Sequence, residues 1–343
     1  MRNYSELYLL LTEACPNRCE YCYIRNRANP SSMSMELIDE KIKKYNPQRI
    51  LFFGGEPLVR LDLMKEVIKK YYGKIKFQVV TSTSINFKEF IEFNKEYPLN
   101  EIQVSWDGFN SNRVDVAGDS IALEVYKNIE YAISCGLKFD IKTVISNNNI
   151  QCMYDIHKKF KELKEYGVSG QFVIAHRDLY TQDFYDELSK QLPLTFDLNK
   201  MYSDHLNKII AYINKDRTFA SCDIGKYTTI DPYGNESLCT ALSQERKDFD
   251  IQTAQEPCKH IDCIKCEYSY LCDGGCRYER YNQYGDDWQM HYLESTCKVM
   301  KIYAQTIQKF IDGLDRYDRL ELRSTIISYK EYLSNYYRGL SDV

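Results

Sequence analysis

Three cysteines within one short stretch constrain this chain more than any other feature. Cys15, Cys19 and Cys22 have the spacing C-x3-C-x2-C and directly follow an apolar, strand-like run. Three thiolates on one loop can bind three irons of a [4Fe–4S] cluster and leave the fourth iron without a protein ligand. Reactive metal sites typically keep such an open position, whereas structural sites are closed. The spacing therefore predicts a cluster that binds a substrate or cofactor at its open iron, with a three-thiolate zinc loop as the alternative.

A second motif, Gly54-Gly55-Glu56, follows the next apolar run of the chain. Two glycines let a backbone approach a ligand closely, and Glu56 offers a carboxylate to an ammonium group. The two motifs together resemble those of radical S-adenosylmethionine (SAM) enzymes, in which an aromatic residue, here Tyr21, precedes the third cysteine. The resemblance implies that the three cysteines hold the cluster, that Glu56 binds the amino group of SAM, and that the glycines leave room for it.

The end of a later strand-like run carries a third part of this resemblance. Ser105 and Asp107 belong to the sequence S-x-D-G, which resembles the strand end whose serine helps to hold SAM in this family. Arg113 resembles the arginine that relatives direct at the SAM carboxylate, although the segment before it is shorter here than in many relatives. An ordinary strand-to-loop turn is the alternative interpretation of Ser105 and Asp107.

The first half of the chain alternates strand-like and helix-like segments, which is typical of a parallel sheet with right-handed crossovers. Six repeats with motifs after the first, second and fourth strands predict an α/β fold, a partial (β/α)6 TIM-like barrel that binds its ligand at the carboxyl ends of the strands. The family resemblance implies the same barrel. The predicted strands are residues 7–11, 50–53, 77–80, 102–105, 139–144 and 170–174, and the predicted helices between and after them are residues 35–45, 61–72, 87–95, 122–135 and 150–165.

A second group of cysteines follows in the C-terminal half of the chain. Paired C-x2-C spacings alone fit a zinc ribbon, but the whole pattern of seven cysteines resembles the SPASM extension of radical SAM enzymes, which holds two auxiliary [4Fe–4S] clusters. The resemblance implies ligands that interleave along the chain. They are Cys222, Cys239 and Cys276 for the first auxiliary cluster, and Cys263, Cys266, Cys272 and Cys297 for the second.

The first auxiliary cluster lacks the fourth cysteine that some relatives supply a few residues before the position of Cys222. Cys258 is a candidate for that ligand from downstream, and it is equally a candidate hydrogen-atom donor or a plain buried thiol. Asp223 is a weaker candidate ligand. If neither binds, the iron stays open and is available to a substrate.

The predicted domain organisation follows from these motifs. We expect a radical SAM partial barrel over residues 1–180, a bridging region over residues 181–218, a small cysteine-rich SPASM domain over residues 219–300, and C-terminal helices over residues 301–343. The SPASM domain should contain a β-hairpin with its turn at residues 232–235, because Pro, Gly and Asn there are typical turn residues.

Composition excludes several classes of function. A net charge of −4 over 343 residues provides no strong field to recruit nucleic acid or an anionic membrane. The sequence has no signal peptide and no apolar run of membrane-spanning length, so we expect a cytoplasmic protein. Thirteen cysteines in such a chain indicate metal or redox chemistry rather than disulfides.

The resemblance implies an enzyme that reductively cleaves SAM to a 5′-deoxyadenosyl radical, which then abstracts a hydrogen from a substrate. SPASM-bearing relatives commonly modify peptides, so the leading hypothesis is an oxidoreductase that forms a thioether, C–C or ether crosslink in a ribosomally made peptide. Sulfatase maturation is a rival; relatives with that activity have Asp at the position of Thr240. Epimerisation of a peptide residue is another and would require a thiol donor such as Cys258. The expected partners are a precursor peptide, a separate recognition protein and an electron donor such as flavodoxin or ferredoxin.

Two rivals from other classes make different predictions. A non-enzymatic iron–sulfur electron carrier would have no use for Glu56 or for an open iron. A zinc-stabilised binding module would be colourless, would contain zinc and would not cleave SAM.

Overall fold

The computed structural model describes residues 6–24, 28–111, 113–175, 180–198, 201–216, 227–241 and 256–338, with the side chains of the last four residues of that final range left out. The predicted alternation of strands and helices is confirmed over the first half of the chain. Within the described residues, no helix is long and apolar enough to cross a bilayer.

In the described part of this half, six strands alternate with five α-helices. The strands are β1 (Glu6–Thr12), β2 (Arg49–Gly54), β3 (Lys76–Thr81), β4 (Glu101–Ser105), β5 (Phe139–Ile145) and β6 (Val168–Ile174). The helices are α1 (Met35–Tyr45), α2 (Leu61–Tyr71), α3 (Phe87–Glu96), α4 (Ala122–Ser134) and α5 (Met153–Lys164).

Helix α1 shows why these segments form where they do. It begins after Ser34, whose hydroxyl accepts a hydrogen bond from the backbone N–H of Leu37, and it ends at Asn46 in the left-handed conformation with φ of 45°. Ile38 and Ile42, four residues apart, lie on one face of the helix and are buried.

The strands form one sheet in the order β6-β5-β4-β3-β2-β1-β7-β8, in which β7 (Thr228–Ile230) and β8 (Glu236–Ser237) form the predicted hairpin. Neighbours from β1 to β5 are parallel, so their carboxyl ends share one edge of the sheet. Strand β7 is parallel to β1 and antiparallel to β8. The sequence predicted the hairpin but not its pairing with the first strand.

The chain divides into two compact units, and the predicted domain boundaries remain a prediction. The first unit comprises Met1–Val144, Glu162–Gly170 and Asp223–Gln255, and the second comprises Ile145–Lys161, Gln171–Cys222 and Glu256–Val343.

The second unit is mainly helical. Part of its core consists of Ala211, Leu271 and Ala304, which pack together from three different helices. The predicted C-terminal helices are present, and the first of them begins at Glu294, before residue 301. The helices that follow α5 are α6 (Gln182–Gln191), α7 (Ser203–Asn214), α8 (Ile261–Ile264), α9 (Ser269–Cys272), α10 (Arg277–Tyr284) and the two C-terminal helices, α11 (Glu294–Gly313) and α12 (Arg316–Arg338).

Candidate active site

The three cysteines of the first motif lie on the loop that leaves the carboxyl end of β1. Cys15, Cys19 and Cys22 are half-buried, and none of the three forms a disulfide bond. The Cys15 sulfur accepts a hydrogen bond from the backbone N–H of Asn17 at 3.4 Å, and the Cys22 N–H donates to the Cys19 carbonyl at 3.2 Å. Burial raises the pKa of Cys15 to about 12. The loop therefore presents three sulfurs from one short, hydrogen-bonded turn.

Two polar side chains of this loop hold its shape. Arg18 Nη1 donates to the carbonyl oxygens of Cys15 and Asn17, each at 2.8 Å. The buried Asn17 amide donates from Nδ2 to the hydroxyls of Ser82 at 2.8 Å and Ser84 at 3.1 Å, just beyond β3. These contacts join the cysteine loop to the carboxyl end of a second parallel strand.

The two glycines of the second motif lie against the backbone at the start of the cysteine loop. A Cβ at Gly54, which has φ of +142°, would lie 2.4 Å from the Thr12 carbonyl oxygen, and a Cβ at Gly55 would lie 2.2 Å from that of Ala14. The Gly55 and Glu56 N–H groups donate to these same two oxygens at 2.6 and 2.9 Å. The glycines thus permit close contact between two loops of the protein itself, a role that the motif alone does not reveal.

Glu56 is fully buried, and its carboxylate accepts hydrogen bonds at both oxygens. Oε1 accepts from the Leu58 N–H at 3.1 Å and the Thr81 hydroxyl at 2.7 Å, while Oε2 accepts from the N–H and hydroxyl of Ser82 at 2.7 and 2.5 Å. Burial raises the pKa of Glu56, and these four donors oppose that shift. The carboxylate is therefore held in one orientation at the edge where β2 and β3 end.

Three predicted site residues meet beside the cysteine loop. Arg113 and Asp107 form a buried ion pair with Nε and Oδ2 2.8 Å apart, and the Tyr21 hydroxyl donates to the same Oδ2. Arg113 Nη1 lies 3.8 Å from the Cys19 sulfur. Burial opposes charging of Arg113, but the Asp107 carboxylate holds its pKa above the usual range. Ser105 is half-buried at the last position of β4, two residues before Asp107.

The cysteine loop is also tied to the hairpin. The buried Glu13 carboxylate accepts hydrogen bonds from the Tyr233 hydroxyl at 3.1 Å and from the Ser31 N–H at 3.0 Å. Ser31 Oγ donates to the Tyr233 hydroxyl oxygen at 3.0 Å. The sequence analysis did not identify Glu13, Ser31 or Tyr233 as site residues, nor Asn17 and Ser82. The one signal for Glu13 and Ser82 is that each directly follows a buried strand.

The second unit brings together several of the later cysteines. Burial raises the pKa of Cys263, and the neighbouring Cys258 thiol raises it further. The Cys272 thiol has its pKa raised to about 11, chiefly by burial, with smaller contributions from Cys297 and Cys266. Cys258 is buried, with its sulfur 3.3 Å from the His291 carbonyl oxygen. Cys258 thus lies beside Cys263, one of the four cysteines that the resemblance assigns to the second auxiliary cluster.

The remaining predicted ligands lie elsewhere. Cys276 immediately precedes α10. Cys239 belongs to the first unit, where its carbonyl accepts from the Ser237 hydroxyl at 3.0 Å. Cys222 and Asp223 fall outside the described residues.

A cavity of about 490 Å³ adjoins the cysteines of the second unit. Both Cys258 and Cys263 line it, together with the charged residues Lys215, Asp216 and Asp273. This places thiols at the wall of an accessible space rather than deep in an apolar core.

The first loop has the donor chemistry that an iron–sulfur cluster requires: three thiols outside any disulfide, with a guanidinium next to one of them. Among the described residues, no three His, Cys, Asp or Glu side chains are arranged to hold a single metal ion. A four-iron cluster is larger than one ion, so its ligands stand further apart. The loop therefore fits such a cluster by the nature and number of its donors.

Comparison with known sequences identifies the first half of the chain. The Radical SAM superfamily model matches residues 9–169. A probable GTP 3′,8-cyclase of Methanococcus aeolicus is 25% identical over 264 residues, which cover 73% of this chain and 84% of that protein. The GTP 3′,8-cyclase of Aquifex aeolicus is 30% identical over 193 residues, covering 52% and 59%. In several curated relatives the matched stretch spans about half of their length.

Comparison with solved structures extends the likeness in fold to most of the chain. The structure of anSMEcpe with bound AdoMet has a TM-score of 0.70 at 17% identity and covers 93% of this chain and 98% of that one. SuiB of Streptococcus suis bound to S-adenosylmethionine has a TM-score of 0.53 at 15% identity, covering 85% and 77%. The same two proteins are also known bound to peptides: anSMEcpe to Cp18Cys and SuiB to the precursor peptide SuiA.

The cysteine loop, the glycine turn and the parallel sheet thus agree with the Radical SAM superfamily model, which matches residues 9–169.

Proposed function

We propose that this protein is a radical SAM enzyme with auxiliary iron–sulfur clusters that modifies a peptide, most simply by forming a thioether, C–C or ether crosslink in a ribosomally made precursor. The observation that carries the auxiliary clusters is that Cys258 lies beside Cys263, and Cys272 lies within electrostatic range of Cys266 and Cys297, all in the second unit. The likeness in fold to proteins that bind peptides supports the same substrate class.

In this proposal, Cys15, Cys19 and Cys22 hold the [4Fe–4S] cluster, whose open iron takes SAM. When bound, the cluster supplies the electron that cleaves SAM to methionine and a 5′-deoxyadenosyl radical, which is the cofactor's own chemistry. Glu56 is the acceptor for the SAM ammonium, and its four donors from the protein fix the carboxylate before SAM arrives. Such preorganisation lowers the cost of binding.

The other site residues exclude water and orient the ligand. Ser105 and Asp107 stand at the carboxyl end of β4, Tyr21 lies in the cysteine loop, and Arg113 adds a cation beside them. Gly54 and Gly55 keep the Glu56 loop in contact with the cysteine loop. The residues of this chain thus contribute by orienting SAM and by placing charged groups around it.

The later cysteines would hold two auxiliary [4Fe–4S] clusters. Cys222, Cys239 and Cys276 are assigned to the first, and Cys263, Cys266, Cys272 and Cys297 to the second. Such clusters would carry an electron away from a substrate radical or bind the substrate at an open iron. The cavity lined by Cys258 and Cys263 supports the proposal that an auxiliary cluster there is accessible to a substrate.

The sequence relatives favour a second candidate, a nucleotide substrate. The match to a probable GTP 3′,8-cyclase covers 73% of this chain. Two peptide alternatives also stay open: sulfatase-type oxidation of Cys or Ser, against which Thr240 counts, and epimerisation with Cys258 as the thiol donor. Each would give a different product from the same SAM cleavage.

Two cysteine variants test the proposed function. Cys19→Ala should abolish 5′-deoxyadenosine formation after dithionite and SAM are added anaerobically. Cys266→Ala should lose iron while retaining some SAM cleavage, because Cys266 is assigned to an auxiliary cluster and not to the cluster that binds SAM. Retained cleavage in the first variant, or unchanged iron in the second, would overturn the corresponding assignment.

The substrate class is tested with one preparation and two substrates. The enzyme is incubated with SAM and either GTP or a precursor-sized peptide encoded beside its gene. We expect a mass change only in the peptide, whereas conversion of GTP would establish the nucleotide candidate instead.

A further inference from the structure

The ion pair between Arg113 and Asp107 is oriented with its cation toward the cysteine loop. Asp107 is fully enclosed: its Oδ1 accepts from the Val144 N–H at 2.8 Å, and its Oδ2 is shared by the Tyr21 hydroxyl and Arg113 Nε. The guanidinium points from this carboxylate toward the Cys19 sulfur, which lies 3.8 Å from Nη1. The positive end of the pair therefore faces a sulfur of the cysteine loop.

Burial makes this arrangement electrostatically strong. The Arg113 side chain is 10% exposed and that of Asp107 is 0% exposed, so solvent screens their charges weakly. The Tyr21 ring adds a cation–π contact, with its centroid 5.6 Å from the guanidinium carbon. The contacts with Asp107 and Tyr21 thus hold the guanidinium beside Cys19.

We propose that Tyr21 and Asp107 hold Arg113 as a positioning residue whose charge stabilises electron-rich sulfur at Cys19 and raises the reduction potential of the cluster bound there. This inference rests on the proposed function, since it requires the cluster. It differs from the role that the family resemblance gives to Arg113, because the cation acts on the protein's own ligand before SAM binds.

The reduction potential of the cluster should shift in opposite directions when the cation and the carboxylate charge are removed. Net charge and hydrogen bonds to the ligand sulfurs set the potentials of iron–sulfur clusters. Removing the cation disfavours the reduced, more negative cluster and lowers the potential. Removing the carboxylate charge behind it acts in the opposite direction, provided that the neutral side chain leaves Arg113 in place.

The test is a spectroelectrochemical titration of the anaerobically reconstituted full chain without SAM. The titration uses a background of Cys266→Ala and Cys276→Ala, which removes one ligand from each auxiliary cluster, so that the cluster held by Cys15, Cys19 and Cys22 dominates the signal. Iron content is measured in parallel. We expect Arg113→Gln to shift the potential to more negative values, Asp107→Asn to shift it to more positive values, and Arg113→Lys to stay nearest the parent. Arg60→Gln is the matched control, because its ion pair with Asp62 is on the surface, and it should not shift.

The outcomes separate the two proposals. An unchanged potential in Arg113→Gln without SAM, or shifts of the same sign in Arg113→Gln and Asp107→Asn, would overturn this inference alone. If Arg113→Gln does not load iron, Asp107→Asn carries the test: its potential must shift to more positive values than that of Arg113→Lys, and no such difference would overturn the inference. Failure of the parent to bind a four-iron cluster would overturn the proposed function and this inference with it.

Discussion

At the scale of single residues, contact between two loops determines where the cysteines stand. Gly55 has no side chain, so its N–H reaches the Thr12 carbonyl at 2.6 Å while its Cα faces Ala14. A sequence motif predicts that a glycine is needed here, but the group that excludes a Cβ depends on the tertiary fold. The same holds for Glu56, whose four donors could not be predicted from the motif.

Gly55→Ala should therefore be costly. The new Cβ would meet backbone atoms at 2.2 Å, which cannot move as a flexible side chain can, and we expect a loss of about 2–3 kcal/mol in the free energy of unfolding together with reduced iron loading. Denaturant unfolding and iron analysis measure the two effects. Gly73→Ala is the control: it has φ of +76° and open space around it, so only about 1 kcal/mol of backbone strain is expected. Equal losses in the two variants would contradict the importance of the loop contact.

His205, in the second unit, should make the stability of the fold depend on pH. It is fully buried and stacks on Phe196 with ring centroids 4.3 Å apart. Burial lowers its pKa to about 3, from 6.5 for an exposed histidine; Asp204 opposes this shift, and Lys208 and His157 add to it. Among the described residues, neither ring nitrogen has a hydrogen-bond partner.

Below pH 6.5 the unfolded chain binds a proton at this histidine and the folded chain does not. Stability should therefore fall by about 1.4 kcal/mol per pH unit as the pH drops from 6.5 toward 3. His205→Phe keeps the ring and removes the proton site, so its urea midpoint should depend less on pH between 7 and 5. Identical pH profiles for the variant and the wild type would contradict the shift.

At the scale of elements, periodicity predicted the strands and helices because each segment has one buried face. Ile38 and Ile42 of α1 are an example. The pairing of β7 with β1 could not be predicted in this way, since a short strand such as Thr228–Ile230 fits many sheet edges. Hydrogen bonds from side chains far apart in the sequence fix it instead.

Glu236 is one such anchor. Its carboxylate accepts from Lys41 Nζ at 2.8 Å, from Lys44 Nζ at 2.7 Å and from the Tyr45 hydroxyl, so α1 is bound to the hairpin. Burial tends to raise its pKa, but these donors prevail and lower it to about 2. The carboxylate therefore stabilises the fold above pH 4.5, and this contribution is lost as the pH falls toward 2.

Glu236→Gln should loosen the hairpin. We expect a loss of about 1–2 kcal/mol, since the bonds to the nearly buried Lys41 dominate and those to the more exposed Lys44 are screened. Hydrogen exchange should become faster in β7 and β8. Glu92→Gln removes an exposed pair with Lys95 and should change stability by less than about 0.5 kcal/mol; an equal effect of both variants would argue against the anchor.

At the scale of the whole molecule, the sequence predicted the α/β fold and the match of residues 9–169 to the Radical SAM superfamily model, because three closely spaced cysteines followed by a glycine turn are typical of few kinds of protein. It left open what Cys258 does, because proximity to Cys263 arises only when the second unit folds.

The proposed function requires that this chain hold three clusters and cleave SAM. The most direct measurement is iron, sulfide and zinc per chain after anaerobic reconstitution, with 5′-deoxyadenosine assayed after dithionite and SAM. We expect about 12 irons per chain, equivalent to three four-iron clusters, together with SAM cleavage. About four irons with zinc would contradict the auxiliary clusters and leave a zinc-bound second half, and iron without SAM cleavage would contradict the enzyme itself.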